Sequence, residues 1–472
     1  MPTYLGIDLG TSGVRGVLID DGLQIVAHAA LPYPGPLIEA TVWLESIEQL
    51  AATLIRQSPD GWRALAAISI DGTSATLLPC DTRGASLGPA LLYSDQRAQE
   101  EATWLAREWP AADAAQGAAS SLSKLLWLRR HDPHYPHLRY IHHQADWVAA
   151  QLTGLFGQAD RGNLLKLGLD GARLSYPPAL LGLLKIADVD LALLPHALRE
   201  GEDYGTVRPD WARRLQIPAH TVVRAGCTDS VAAAIAAGLH SPGQALSSLG
   251  STLAIKVVHT RPYAGKGLYS HYLGRHTLVG AASNSGGAAL LRHFSRPQMV
   301  ALSAALKPAT PSGQLLYPLP TTGERYPLNA PQWPGSSIPP LAIEVRFQAL
   351  LEGLSYIEAW CYATLEEQQI AIVGAILSTG GGTANLPWMQ MRANILDKPV
   401  QVIAHGDPAL GSALLAASTD LGELETLQTR QPATEQVFLP ETTAASQYRE
   451  YYHQFREHFE ALSTLFFSTE IY

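Results

Sequence analysis

The sequence predicts an α/β protein built from two related halves, and three observations carry that expectation. At 472 residues the chain is too long for one ordinary core. Two stretches, Leu5 to Asp20 and Ala245 to Val258, share one form: an apolar strand, a turn of Gly, Ser and Thr, and a second apolar strand. Four apolar strands run into such turns, at Gly10, Gly250, Gly286 and Gly380.

Along the chain, Leu5 and Ile7 alternate with small or polar neighbours, and Val17, Leu18 and Ile19 supply the bulk of the returning strand. Gln24 to His28 offers a third strand. Val42 to Gln57 repeats Leu44, Ile47, Leu50 and Leu54 at helical spacing. Ala66 to Ile70 is an apolar strand entering the polar turn Asp71-Gly72-Thr73-Ser74. Leu91 to Arg97 reads as another strand end, carrying Asp95 and Arg97, followed by an Ala/Glu/Trp-rich helix. Ser123 to Arg130 and Gln144 to Leu152 are helical in pattern. Residues 157–205 read as loop-rich, with a leucine-dense piece at Ala179 to Lys185. Thr221 to Ser230 returns to strand and turn and opens an alanine-rich helix from Val231.

After the second hairpin, Leu278 to Ala282 is a strand running into Ser283-Asn284-Ser285-Gly286-Gly287 and a helix. Residues 307–340 are rich in Pro, Gly and Thr and read as a long surface excursion. Ile343 to Glu366 predicts a long amphipathic helix, Ile370 to Ser378 a buried strand, and Val400 to Ile403 a last strand before a helix start at Pro408. Thr442 to Phe467 predicts an amphipathic, aromatic C-terminal helix.

Composition narrows the function classes. Residues are 47% hydrophobic and 16% charged, as in a globular protein. A net charge of −9 without a Lys/Arg run argues against a nucleic-acid surface. The apolar stretches, such as Val231 to Leu239, are too short to span a bilayer. The chain enters a strand at once, so no secretory signal is expected. Cys80, Cys227 and Cys361 are widely spaced with no CxxC and read as buried thiols of a reducing compartment. These features together predict a cytoplasmic two-domain protein.

The turns carry the chemistry. Gly10 and Gly13 permit positive φ, which would let the first turn aim several N–H groups at one point, as a phosphate requires. Asp8 at the end of the first strand suits a hydrated Mg²⁺ or a simple turn cap. There is no GxxxxGK[ST] and no complete GxGxxG, so phosphates would be held by hairpin turns and helix starts. Asp229, between a strand and a helix, is either the N-cap of that helix or a base that accepts a hydroxyl proton. His131, His134, His137, His142 and His143 form a cluster, but Pro133 and Pro136 break any helix that would align the rings on a metal. No GxSxG is present, so an esterase is not suggested.

With both hairpins, the triple glycine and Asp229 in view, the chain resembles the FGGY carbohydrate kinases of the sugar kinase/actin-like ATPase superfamily from Gly6 to about Ala417. Asp8-Leu9-Gly10-Thr11-Ser12 is similar to the first phosphate motif of that family, and Leu249-Gly250-Ser251-Thr252 to its second. Ser378-Thr379-Gly380-Gly381-Gly382-Thr383-Ala384-Asn385 is similar to its adenosine motif. Ser121 to His131 follows its first signature, with Ala119 departing from the leading position, and Ala349 to Leu354 matches only the opening of the later one.

The resemblance implies two actin-like (ribonuclease H-like) domains, 1–240 and 241–472, with the active site in the cleft between them. The first would carry the sugar site, the first phosphate motif and the base; the second, the second phosphate motif and the adenosine motif. It implies ATP and Mg²⁺ as cofactors, Asp229 as general base and Asp8 as the metal-holding residue. Asp8, Thr73, Ser74, Asp95 and Asp229 would face the sugar. Gly10, Thr11, Ser12, Gly250, Ser251, Thr252, Gly287, Gly380, Gly381, Gly382 and Asn385 would hold the nucleotide. Tyr93 stands where relatives carry a Trp beside the sugar. Asp71-Gly72-Thr73-Ser74 falls where xylulose kinases carry a Met-His pair. That run and Gly226-Cys227-Thr228-Asp229-Ser230 look like the D-ribulose kinase branch, which makes D-ribulose the expected acceptor ahead of D-xylulose. The expected partners are the sugar and ATP, with a homodimer open and neither nucleic acid nor membrane involved. An actin-like ATPase switch without a sugar acceptor shares the phosphate turns; the base at Asp229 and the polar strand ends at Ser74 and Asp95 favour a small acceptor, and ADP release across a sugar panel separates the two.

Overall fold

The computed structural model describes residues 1–111, 113–263, 265, 267–403, 406–429 and 434–463. The chain divides into two compact units. Unit 1 holds Met1–Gly238, His271–Arg275 and Asp407–Gln431; unit 2 holds Leu239–Ser270, His276–Gly406 and Pro432–Tyr472. The first change of unit, at Gly238, lies beside the expected boundary at 240, but the later segment Asp407–Gln431 joins the first unit.

Unit 1 is built on a six-stranded sheet of β1 (Thr3–Leu9), β2 (Gly13–Asp20), β3 (Ile25–Pro32), β4 (Leu65–Gly72), β5 (Asp203–Thr206) and β6 (Val222–Arg224), in the order β3-β2-β1-β4-β6-β5. β1, β2 and β3 form an antiparallel meander; β4 lies parallel to β1, and β6 parallel to β4. All seven residues of β1 are buried, as befits a central strand covered on both faces. One apolar core packs Leu5, Ile7, Trp43 and Ile47, and a second, between residues 77 and 197, packs Leu122, Leu125, Leu164 and Leu180.

The second sheet, seven-stranded and all of it in unit 2 apart from His271–Leu273, holds β7 (Ala245–Leu249), β8 (Leu253–His259), β9 (Tyr269–Leu273), β10 (His276–Ser283), β11 (Ile376–Thr379), β12 (Val400–Ile403) and β13 (Thr434–Phe438). Its order is β9-β10-β8-β7-β11-β12-β13. β8 is antiparallel to β7 and to β10, while β11 and β12 continue parallel from β7. The five strands β10-β8-β7-β11-β12 therefore repeat the arrangement β3-β2-β1-β4-β6, and each sheet ends in an antiparallel strand beyond it. The two halves expected from the repeated hairpin are the same fold.

Several expectations change in detail. Leu91 to Arg97 is not a strand: Leu91 makes a single bridge to Leu77, and the polar residues after it form a turn. The leucine-dense piece is the helix Pro178–Ile186. The strand expected from Ile370 begins only at Ile376. The helix Ile343–Glu367 is not amphipathic through its middle. Every residue from Phe347 to Glu358 is buried, because partners such as Ser312 and Arg392 satisfy its Glu352 and Glu358. The C-terminal helix is described over Thr442–Ser463; the expected residues 464–467 lie outside the described residues. No helix among the described residues is long and apolar enough to cross a membrane.

The small residues of the helix Pro408–Leu421 bring it unusually close to β1. A Cβ on Gly6 would stand 1.9 Å from the Ala409 carbonyl oxygen and 2.2 Å from the Ala413 nitrogen. Backbone atoms cannot rotate aside, so Gly6→Ala must displace the helix. The variant is expected to lose about 1–3 kcal/mol of unfolding free energy or more, read as a lower midpoint in chemical denaturation. An unchanged midpoint would contradict this packing.

Candidate active site

In unit 1 three neighbouring parallel strands deliver three carboxylates to one edge of the sheet. Ligand groups gather at such carboxyl ends in α/β proteins. β1 contributes Asp8 and β4 contributes Asp71, which are register partners across the parallel pair. The chain beyond β6 bridges Gly72 at Thr228 and then presents Asp229 at the first position of the helix Asp229–Ala236. Gly226 makes that course possible, since a Cβ there would lie 1.7 Å from the Ile70 carbonyl oxygen.

Asp8 is buried and pairs with its cross-strand neighbour Arg15, whose Nη1 lies 2.6 Å from Asp8 Oδ2. Burial pushes its carboxyl up to about 6; Arg15 opposes the rise and the charge of Asp229 adds to it. Asp71 is completely buried. Burial first, and then the charge of Asp8, pushes it well above the usual carboxylate range, against a hydrogen bond from Ser412 Oγ at 2.6 Å. Asp229 is half-buried and is not the helix cap. Thr228 occupies the N-cap, and the Asp229 Oδ1 accepts from the Ser230 N–H at 2.6 Å.

The hairpin turn after β1 is exposed at Thr11 and Ser12. It closes with a hydrogen bond from the Gly10 N–H to the Gly13 carbonyl at 3.0 Å, and the Tyr33 hydroxyl donates to the Gly10 carbonyl at 2.9 Å. Neither Gly10 nor Gly13 takes positive φ, so the expected conformational reason for these glycines does not apply. Gly13 is required by proximity instead: a Cβ would sit 2.2 Å from the Leu31 carbonyl oxygen on β3.

Of the residues expected at the sugar, Thr73 and Ser74 stand in the turn that follows Asp71 and β4. Thr73 is buried, with its hydroxyl already engaged by Gln144 Oε1 at 2.8 Å and by the Thr76 hydroxyl at 2.6 Å. It thus shapes the turn, while Ser74 Oγ has no hydrogen-bond partner. Asp95 is gripped by Arg97, whose Nε lies 3.0 Å from both of its oxygens. Burial works against the Asp95 charge, yet Arg97 and Lys124 hold its carboxyl below the usual range. Tyr93 is exposed.

Lys124 lies in the signature stretch Ser121 to His131, which by itself assigns it no role. Its fully buried ammonium donates to the carbonyls of Ala75 at 2.8 Å and Leu92 at 2.7 Å, so one side chain ties the turn after β4 to the turn that carries Asp95. Burial lowers its pKa to about 8, with Asp95 opposing. The histidine cluster divides: His131, His134 and His137 are exposed, whereas His142 and His143 are buried, His143 Nε2 lying 2.7 Å from Ser121 Oγ. Among the described residues no three His, Cys, Asp or Glu side chains are arranged to hold a metal.

In unit 2 the turns converge on a pocket of about 750 Å³. Because β7, β10 and β11 run the same way, the glycines that follow them meet at one edge. A Cβ on Gly286 would lie 2.6 Å from the Ser251 carbonyl oxygen, and one on Gly380, at φ +93°, 2.8 Å from that of Leu249. The Gly287 N–H donates to the Gly250 carbonyl at 2.9 Å. Gly250, Ser251, Thr252, Gly287, Gly381, Gly382 and Asn385 line the pocket. Gly380 stands behind that wall, shaping the turn. Asn385 Oδ1 caps the helix Leu386–Leu396 by accepting from the Trp388 N–H at 3.1 Å. Phe347, Leu351 and Trp388 supply an apolar floor. Below it, Arg392 forks onto Glu358 at 2.6 and 2.8 Å and donates to Ser378 Oγ at 2.9 Å. No motif signals this buried pair, which fixes the strands and helices around the pocket.

Residues 3–236 match the N-terminal domain of the FGGY family of carbohydrate kinases and residues 245–419 its C-terminal domain. A xylulose kinase of Escherichia coli is 27% identical over 98% of this chain and 99% of its own. Among solved structures, a xyloylose kinase from Brucella ovis superposes with a TM-score of 0.88 at 24% identity over 98% of this chain and 100% of its own. A xylulose kinase from Rhodospirillum rubrum superposes with a TM-score of 0.85 at 25% identity over 98% and 99%. The chain belongs to the FGGY family of carbohydrate kinases, and its units have the two-domain fold of the sugar kinase/actin-like ATPase class.

Proposed function

We propose that this FGGY carbohydrate kinase transfers the γ-phosphoryl group of ATP to a hydroxyl of a ketopentose, with D-xylulose as the preferred acceptor. The observation that carries the reading is Asp229: a partly exposed carboxylate beside two buried ones and not used as the helix cap. In the reaction the acceptor hydroxyl oxygen bonds to the γ-phosphorus and the bond from that phosphorus to the β–γ bridging oxygen breaks. Asp229 takes the hydroxyl proton and ADP leaves. Unit 1 supplies the base and the acceptor groups Ser74 and Asp95, with Thr73 and Lys124 holding their turns. The pocket of unit 2, with Gly250 to Thr252 and Gly381 to Asn385, takes the nucleotide.

Asp8 suits a hydrated Mg²⁺, because its Oδ1 is buried and has no hydrogen-bond partner while Arg15 holds Oδ2. Bound there, the cation would offset the charge of the transferring phosphoryl group.

D-xylulose stands first because the relative from Escherichia coli, matched along nearly its whole length, is named a xylulose kinase. This replaces the preference for D-ribulose drawn from Asp71-Gly72-Thr73-Ser74, which remains the second reading since no Met-His pair is present. ADP release across D-xylulose, D-ribulose, ribitol and glycerol tests both. The expected result is the highest kcat/KM with D-xylulose. A higher value with D-ribulose would favour the second reading, and release indifferent to every sugar would favour an ATPase switch and sink the kinase reading.

A further inference from the structure

We propose that Asp71 is a second carboxylate of the cation site, sharing with Asp8 the water shell of one divalent ion. The proposal rests on the kinase reading only for what the ion does, since its observations concern unit 1 alone. Asp8 and Asp71 are 1% and 0% exposed and face one another as register partners on neighbouring parallel strands. In-register residues point to the same face of a sheet. Each carboxyl has one oxygen held from the side: Asp8 Oδ2 by Arg15 Nη1 and Asp71 Oδ2 by Ser412 Oγ, both at 2.6 Å. The remaining oxygen of each, Oδ1, is buried and takes no hydrogen bond from any other described residue, and the two carboxyls lie within hydrogen-bonding reach of one another.

Two buried carboxyls that face one another hold either a shared proton or a cation between them, and a bound ion is one established reason for buried acceptors without outside donors. The charges point the same way. Asp8 and Asp71 each feel the other and Asp229, and Arg15 is the guanidinium paired with Asp8. Among these described residues, the acids Asp8, Asp71 and Asp229 outnumber the guanidinium of Arg15, a balance that favours a divalent cation. Mg²⁺ and Mn²⁺ prefer oxygen donors, and Mg²⁺ keeps several of its waters. A pair of carboxylates contacting those waters fits a site where, among the described residues, no three acidic side chains converge on the metal itself.

Asp71 also anchors Ser412 on the helix Pro408–Leu421, and a purely structural role would end there. Asp71→Asn separates the two roles, because its amide oxygen still accepts from Ser412 while its charge is gone. The test is a titration of the whole chain with Mn²⁺ alone, without nucleotide or sugar, with free Mn²⁺ read by electron paramagnetic resonance. One Mn²⁺ per wild-type chain is expected. Asp71→Asn should weaken binding at least ten-fold with an unchanged thermal midpoint, and Ser412→Ala should leave affinity within about two-fold. If Asp71→Asn does not fold, Asp71→Ser, small and neutral, is read in its place. A wild-type chain that takes up no Mn²⁺, or an Asp71 variant that binds it as tightly as wild type, overturns the proposal. Sugar-dependent ADP release by the wild type is measured separately, so failure of the kinase reading is distinguishable from failure of this one.

Discussion

Asp229→Asn is expected to lower sugar-dependent turnover by about 10²–10⁴ while leaving ADP binding within two-fold. The range is the usual contribution of a positioned base to proton transfer. The two effects separate because the residues involved belong to different units: Asp229 opens a helix of unit 1, whereas the pocket assigned to the nucleotide is lined entirely from unit 2. Folding should not confuse the result. The helix N-cap is Thr228, so no side-chain cap is lost, and removing one acidic charge from the first turn costs about 0.3–1 kcal/mol. Steady-state kinetics with the acceptor sugar and calorimetric titration with ADP read the two quantities. Wild-type turnover in this variant would remove Asp229 from the role of base; loss of ADP binding would mean that its effect is structural.

The sequence made the strand-and-turn parts of this site legible, because each carries a local signature. An apolar run followed by Gly, Ser and Thr marks Asp8 to Gly13, Leu249 to Thr252 and Ser378 to Asn385 without any tertiary information. What it hid are contacts between segments distant in the chain. Asp71 gains its significance from register with Asp8 and from Ser412, 341 residues away. Lys124 is an unremarkable helical lysine until the carbonyls of Ala75 and Leu92 close around it. Arg392 and Glu358 lie on helices whose period alone cannot reveal that both faces are buried. Gly13 failed in a different way: its conservative local explanation, positive φ, is displaced by the approach of β3. Likewise Leu91 to Arg97 has strand composition, but its polar end is drawn into a turn by Lys124 and by the Thr76 hydroxyl, which accepts from the Tyr93 N–H.

Asp8→Ala is expected to lower Mg²⁺-dependent turnover by about 10²–10³, the usual effect of losing one electrostatic contact to a transferring group, with sugar binding changed far less. The pH profile supplies a second signature. Burial holds the Asp8 carboxyl near 6 in the fold, above its unfolded value. Its charged form is the functional one, so turnover should be present above pH 6 and decline as pH falls through it. Cation binding favours the charged form, so raising Mg²⁺ should move that decline to lower pH. Stability has the opposite sign. A folded pKa above the unfolded one means that the fold binds the proton more tightly, so this group favours folding below its unfolded pKa and loses that contribution as pH rises through about 6. Loss of activity near pH 5 therefore cannot be assigned to unfolding driven by Asp8. The residual activity of Asp8→Ala should lack the decline and its Mg²⁺ dependence. If the variant keeps both while sugar binding disappears, Asp8 serves the sugar and the cation is held elsewhere.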